Sequence, residues 1–260
     1  MHAHEAINVD QHADLQALLA LLEERKEAFV AQTSTGEYDQ VARHLTVISQ
    51  WIAANITDKL PTELPAGLPR KHALNNFARS MYMADNLAHV IEGDGRKTKL
   101  VVWAHTFHLA VGFDDRVLGA MPNMGQLLRE RFGDQYYMLC FESGSGAYLA
   151  REWLPDDTLG DLRVASIPPV PDGSFHCLLA QLGRPVLLLD LREPIESPVV
   201  DAWLSTPQFM HMISWAYREP ALHAQMNVRR SCDGIIFIKE TSATTPTVNA
   251  RRVVAERVGH

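Results

Sequence analysis

Two histidines, His105 and His108, follow directly on the aliphatic run Leu100-Val101-Val102-Trp103. Imidazole titrates nearer neutrality than other side chains, so such a pair could pass a proton or polarise a substrate oxygen. The run predicts a buried strand, and in open α/β folds ligands bind beyond the carboxyl ends of strands. The alternative for each ring is a half-buried, hydrogen-bonded histidine with no chemistry. Zinc is a further use for this pair, with Glu142 or Glu240 completing the site from a distance. The His-Glu-x-x-His motif is missing, however, because Thr106 and Phe107 fill the middle, and no cysteine cluster is nearby. The expectation is no metal and no cofactor.

Arg79, Met83 and Asn86 follow one another at spacings of four and three, which places them on one helical face. An arginine and an asparagine on an inward stripe need hydrogen-bond partners, and a substrate could supply them. A surface carboxylate pairing with Arg79 is the simpler alternative. Ser143-Gly144-Ser145-Gly146 resembles a serine loop only superficially: neither serine has glycines two positions to either side, and the Gly-Lys-Ser/Thr ending of a phosphate loop is missing. It reads as a flexible loop beside the site.

The elements that must position these residues alternate in type. Apolar residues at helical spacing predict a surface helix from Asp10 to Val30 through Leu15, Leu18, Leu19, Leu22 and Phe29. A second helix runs from Tyr38 to Ile56 through Val41, Leu45, Ile48 and Ile52, and the stretch Pro61 to Pro69 breaks the chain. A third helix spans Arg70 to Ile91 and stops at Gly93 and Gly95. Met124 to Phe132 is a short helix closed by Gly133. Strands are expected at Leu100 to Trp103, Tyr136 to Phe141, Pro185 to Asp190 and Gly234 to Lys239, the last two as central strands. The fold class is a layered α/β sheet flanked by helices. A single domain over 1–260 is expected, with a helical segment over 1–60 and an α/β portion over 70–260.

The 260 residues are 47% hydrophobic and carry a formal net charge of -7, enough for a core and unsuited to nucleic acid. The pairs Arg229-Arg230 and Arg251-Arg252 read as solvated surface. His2, His4 and His12 lie in a polar terminal stretch and are at most weak metal ligands. Three scattered cysteines, Cys140, Cys177 and Cys232, suit a reducing compartment better than a disulfide framework. No signal-peptide pattern or bilayer-length apolar run is present, so the expected location is cytoplasmic, away from membranes.

Several segments together resemble the erythromycin esterase-like hydrolases. Arg79-Ser80-Met81-Tyr82-Met83-Ala84-Asp85-Asn86 is similar to that family's Arg-Asp-x-x-Met-Ala-x-Asn helix, and Val102-Trp103-Ala104-His105-Thr106-Phe107-His108 to its Trp-Ala-His-Asn-x-His segment. Met124-Gly125, Phe132-Gly133 with Tyr136, Leu189-Asp190-Leu191-Arg192 and Asp233 to Pro246 resemble the segments that follow. Ser80 and Thr106 stand where the family has Asp and Asn. The family's upstream Gly-Glu-x-x-His-Gly motif, whose Glu and His are implied to activate the attacking water, does not occur: Thr35-Gly36-Glu37 is followed by Tyr38-Asp39-Gln40.

The resemblance implies a metal-independent hydrolase of a carboxylic ester or macrolide lactone, linked to macrolide resistance, in which a histidine base activates water. It implies His105 and His108 as polarising or proton-transferring groups, Arg79 as charge stabiliser, and Asn86, Met83, Thr106 and Glu240 as substrate-binding residues. The missing motif and the two opening helices imply the carboxyl-terminal portion of such an enzyme, without its amino-terminal strands. The chain would then self-associate or need a complementing chain, and a catalytically incomplete fragment or a non-enzymatic binding remnant is the alternative.

Overall fold

The computed structural model describes residues 9–55, 70–93, 95, 99–112, 122–154, 158–211, 213–217 and 223–249. His2 and His4, the stretch Pro61 to Pro69 and the pair Arg251-Arg252 lie outside them. The chain forms two compact units, Met1–Val102 with Gly119–Leu127, and Trp103–Leu118 with Leu128–His260.

The first unit is helical: α1 (Val9–Glu24), α2 (Lys26–Gln32), α3 (Thr35–Asn55) and α4 (Arg70–Gly93). The single opening helix expected from Asp10 to Val30 breaks between α1 and α2. The helix expected from residue 70 belongs to this unit and not to the α/β portion. Its small buried residues, Ala78, Ala84 and Ala88, suit close helix approach. On α3 the buried residues include Tyr38, Ser49 and Ala54, whereas Val41 and Ile48 of the predicted stripe are each 48% exposed. Polar pairs explain the rotation of that helix. The Tyr38 hydroxyl donates to Glu23 at 2.7 Å, which pushes its pKa up to about 12, and Gln16 bonds Ser49.

The second unit carries the sheet. Its elements are α5 (Thr106–Leu109), the latter part of α6 (Met124–Phe132), β1 (Leu139–Trp153), β2 (Leu159–Ser166), α7 (Phe175–Gln181), β3 (Val186–Asp190) and α8 (Pro198–Leu204). β4 (Pro207–His211), β5 (Ala216–Tyr217), β6 (His223–Asn227), α9 (Val228–Ser231) and β7 (Gly234–Thr241) follow. The sheet order is β2-β1-β7-β3, with β5 beside β1, and β4 pairs β6 in a separate ribbon. This is the layered α/β architecture expected from the sequence.

Three sequence expectations change. Leu100 to Trp103 is no strand: Val101 is 89% exposed and Trp103 81%, because among the described residues no strand pairs with the run. Pro185 to Asp190 does yield β3, but β3 ends the sheet order, and Leu188 is 70% exposed. Ser143 to Gly146 is not a loop. It continues β1, which pairs β7 in parallel from Leu139 to Gly146 and β2 in antiparallel from Ala147 onward. A Cβ on Gly144 would lie 2.8 Å from the Lys239 carbonyl oxygen, and one on Gly146 only 1.9 Å from that of Thr241. Both glycines are there to let the β7 backbone approach.

The sheet register is set by Asp233. Its carboxylate accepts from the Met138 backbone N–H at 2.7 Å, from Arg192 Nε at 2.9 Å and from Arg129. Arg192 also donates to the Asp134 carbonyl at 2.9 Å and to that of Tyr136 at 2.6 Å, and its guanidinium lies 4.8 Å from the Tyr137 ring centroid. The Asp233 backbone bonds Met138 and Leu191. One side chain therefore joins α6, the entry to β1, the exit of β3 and the entry to β7. Nearby, a disulfide links Cys140 on β1 to Cys232, against the reading of the cysteines as fitting a reducing compartment. The parallel register brings the two together, since Leu139 lies opposite Gly234. Cys177 is free.

Asp233→Asn is expected to cost about 3 kcal/mol, because charge-assisted hydrogen bonds contribute roughly 1.5–3 kcal/mol and the amide leaves two guanidiniums uncompensated. Burial alone would raise the Asp233 carboxyl, but Arg192, the Met138 N–H and Arg129 outweigh it and hold the carboxyl below its ordinary value. Its stabilisation is therefore complete above the unfolded-state value of about 4 and is lost as pH falls through the lower native value. Urea denaturation of the two proteins should show a gap that is wide at neutral pH and narrows below about pH 4. A gap unchanged in acid would remove the ion-pair account.

Candidate functional site

His105 is the N-cap of α5. Its Nδ1 accepts from the Phe107 backbone N–H at 3.1 Å, which assigns the ring proton to Nε2, and Nε2 donates to the Ile213 carbonyl at 2.8 Å. Two main-chain contacts thus hold the imidazole in one orientation. His108 is half-buried in the same short helix, its ring edge-on to Phe107 with centroids 5.6 Å apart. Behind the helix the Tyr136 hydroxyl donates to the Leu109 carbonyl at 2.7 Å, and the Val111 N–H bonds Ser231. A four-residue helix has little stability of its own, so these bonds fix where the two imidazoles stand.

A second histidine group lies in the interior of this unit. Glu142 points inward from β1, and His176 Nε2 on α7 meets its carboxylate at 2.7 Å. The His211 ring on β4 is 4.7 Å from the His176 ring, centroid to centroid. Glu142, His176 and His211 are 5%, 0% and 7% exposed. Phe175, Phe209 and Phe237 pack around His176. Burial pushes the Glu142 carboxyl up, and His176, His105 and the His211 backbone N–H offset that only in part. Glu142 thus lies within electrostatic reach of His105. Sequence analysis named Glu142 only as a distant partner for a metal and passed over His176 and His211. Spacings above thirty residues carry no local motif; the one visible signal was a histidine inside the apolar run Phe175-His176-Cys177-Leu178-Leu179.

The remaining expected residues fall into separate groups. Arg79, Met83 and Asn86 share α4 in the first unit, where Arg79 is exposed and the other two are half-buried. Asn86 Oδ1 accepts from Arg43 of α3, a partner that sequence spacing did not reveal. Thr106 and His108 accompany His105 on α5. Glu240 is exposed on β7, opposite Ser145.

The family model described as erythromycin esterase matches residues 2–241. YbfO of Bacillus subtilis (strain 168), a hydrolase by name, is 29% identical over 177 residues, covering 66% of this chain and 36% of YbfO. A Bacillus cereus protein of known crystal structure superposes with a TM-score of 0.70 at 19% identity, covering 89% of this chain and 52% of that one. A protein titled for succinoglycan biosynthesis gives 0.67 at 20% identity, with 89% and 49% covered. A histidine-to-asparagine mutant of the erythromycin esterase EreC, in its open conformation, gives 0.59 at 16% identity, with 93% and 55% covered. The chain therefore spans about a third of the curated relative and about half of each solved one.

His105→Ala removes both the cap and the bond to Ile213 and is expected to cost about 2 kcal/mol, whereas His105→Asn keeps a capping acceptor and should cost about half as much. Thermal unfolding distinguishes the two. Equal losses would mean that the cap contributes nothing.

Proposed function

Because this chain belongs to the erythromycin esterase family, we propose that it serves hydrolysis of a carboxylic ester or macrolide lactone by water, with macrolide resistance as the outcome where the substrate is a macrolide. The observation that supports this most is the presentation of two imidazoles on one short, externally braced helix. In this reading His105 polarises a substrate oxygen once that oxygen replaces the Ile213 carbonyl as the partner of its Nε2–H. His108 transfers the proton. The family resemblance implies Arg79 as the stabiliser of a developing oxyanion and Asn86, Met83, Thr106 and Glu240 as substrate-binding residues. General acid–base groups of this kind contribute roughly 10²–10⁴ in rate.

A second reading is favoured by one sequence fact: Gly-Glu-x-x-His-Gly does not occur in these 260 residues. The base that activates water in the family then comes from a segment outside this sequence or from a complementing chain, and the 260 residues by themselves bind substrate without turning it over.

The experiment is hydrolysis of a simple aryl ester and of a macrolide lactone by the 260-residue chain, alone and joined to a segment carrying Gly-Glu-x-x-His-Gly. Little turnover is expected alone and clear turnover after joining, with His108→Ala lowering kcat/KM about 100-fold or more. Robust turnover by the unaccompanied chain, unaffected by His108→Ala, would sink the assignment. A cytoplasmic location, as the sparse cysteines suggested, carries its own expectation. Cys140 and Cys232, both buried, should be alkylated when cells are lysed directly into a denaturing thiol trap, although the structure joins them; recovery of the linked peptides would place the protein in an oxidising compartment.

A further inference from the structure

We propose that Glu142, His176 and His211 form a binding site for one divalent transition-metal ion of the zinc class, inside the sheet unit and built from ligands other than the proposed hydrolytic histidines. The donor atoms of these three residues lie within 4.8 Å of one another. Among the described residues no other such grouping of His, Cys, Asp and Glu occurs. Two imidazoles and one carboxylate are a ligand set that suits zinc, cobalt or iron(II).

The arrangement around His211 and Glu142 fits this use. His211 Nε2 donates to the Pro168 carbonyl at 3.1 Å, which assigns the ring proton to that nitrogen and leaves Nδ1 as the donor atom for a cation. A metal-bound histidine is commonly held this way, its outer nitrogen on a backbone carbonyl. His176 is fully buried, its Nε2 occupied by Glu142 and its Nδ1 without a hydrogen-bond partner. Glu142 is a buried carboxylate met by the His176 imidazole and the His211 backbone N–H, with no arginine or lysine among the groups acting on it. A buried carboxylate is costly unless a cation compensates it.

The metal would take the place of the proton shared between Glu142 and His176. Metal–ligand bonds of about 2.0–2.2 Å put tetrahedral donor atoms about 3.3 Å apart. The 2.7 Å contact must then open by about 0.6 Å and the widest separation must contract, which rotamer adjustments of Glu142 and His211 can supply. Three protein ligands leave a fourth position for water. The ion would tie β1, α7 and β4 together, three elements from distant parts of the sequence.

The test is titration of the chelator-treated 260-residue chain with Co²⁺, read by its visible d–d absorption, followed by displacement with Zn²⁺ and thermal unfolding with and without Zn²⁺. One Co²⁺ per chain with a four- or five-coordinate spectrum is expected, together with a rise in Tm on Zn²⁺ addition. Glu142→Gln is expected to weaken Co²⁺ binding at least about 100-fold, the upper end of what losing an outer-shell partner costs. His211→Gln should do the same and serves if the first variant fails to fold. Replacing His2 and His4 by alanine should leave the spectrum unchanged. Absence of stoichiometric binding by the unmodified chain overturns the proposal, as does equal binding by the Glu142→Gln and His211→Gln variants.

Discussion

One carboxylate, Asp233, decides how the sheet of the second unit is assembled. Two arginines that are not neighbours in sequence converge on it, and its backbone groups bond the residue before β1 and the residue after β3. Guanidinium is a permanent cation with a rigid fork of donors, so the cluster holds its geometry at any ordinary pH. With Met138 and Asp233 bonded together, Leu139 falls opposite Gly234, and the rest of the β1–β7 register follows. That register turns Cys140 and Glu142 inward and Phe141 outward.

Two buried carboxylates among the described residues of this unit show how partners govern burial. Asp233, met by arginines and a backbone N–H, is held ionised below the ordinary range. Glu142, two residues past Cys140, is met by imidazole and a backbone N–H, with no guanidinium or ammonium acting on it, and moves the other way. Imidazole compensates a negative charge only when it is itself protonated, and burial opposes that protonation too. The difference between the two sites is the permanence of the cation, since both carboxylates are enclosed.

Periodicity and local motifs made much of the architecture legible. Met124 to Phe132 and the strand cores of β3 and β7 match the structure closely, because each is a short run whose pattern and flanking residues agree. The failures arise where apolar content and burial part company. Leu100 to Trp103 has the composition of a buried strand but no strand beside it, and the α3 stripe loses to polar contacts of Tyr38 and Ser49. The glycines of Ser143 to Gly146 resemble loop residues and in fact answer to a backbone more than ninety residues away. At the candidate site the His105–His108 pair was visible because its members are adjacent in sequence. His176 and His211 were not, since only the folded sheet brings them to Glu142.

The pairing of β1 with β7 also fixes an order of events during synthesis. The helices of the first unit contact one another within the early part of the chain and can form as soon as α4 has been made. Cys140 and Cys232 stand 92 residues apart, and the parallel strands beside them have a similar separation. The Leu139–Gly146 half of β1 must therefore wait for β7, whereas the half from Ala147 to Trp153 can pair at once with β2, which follows it directly; such a delay is typical of non-local parallel pairing. The strand surface left unpaired longest during translation is thus the first half of β1.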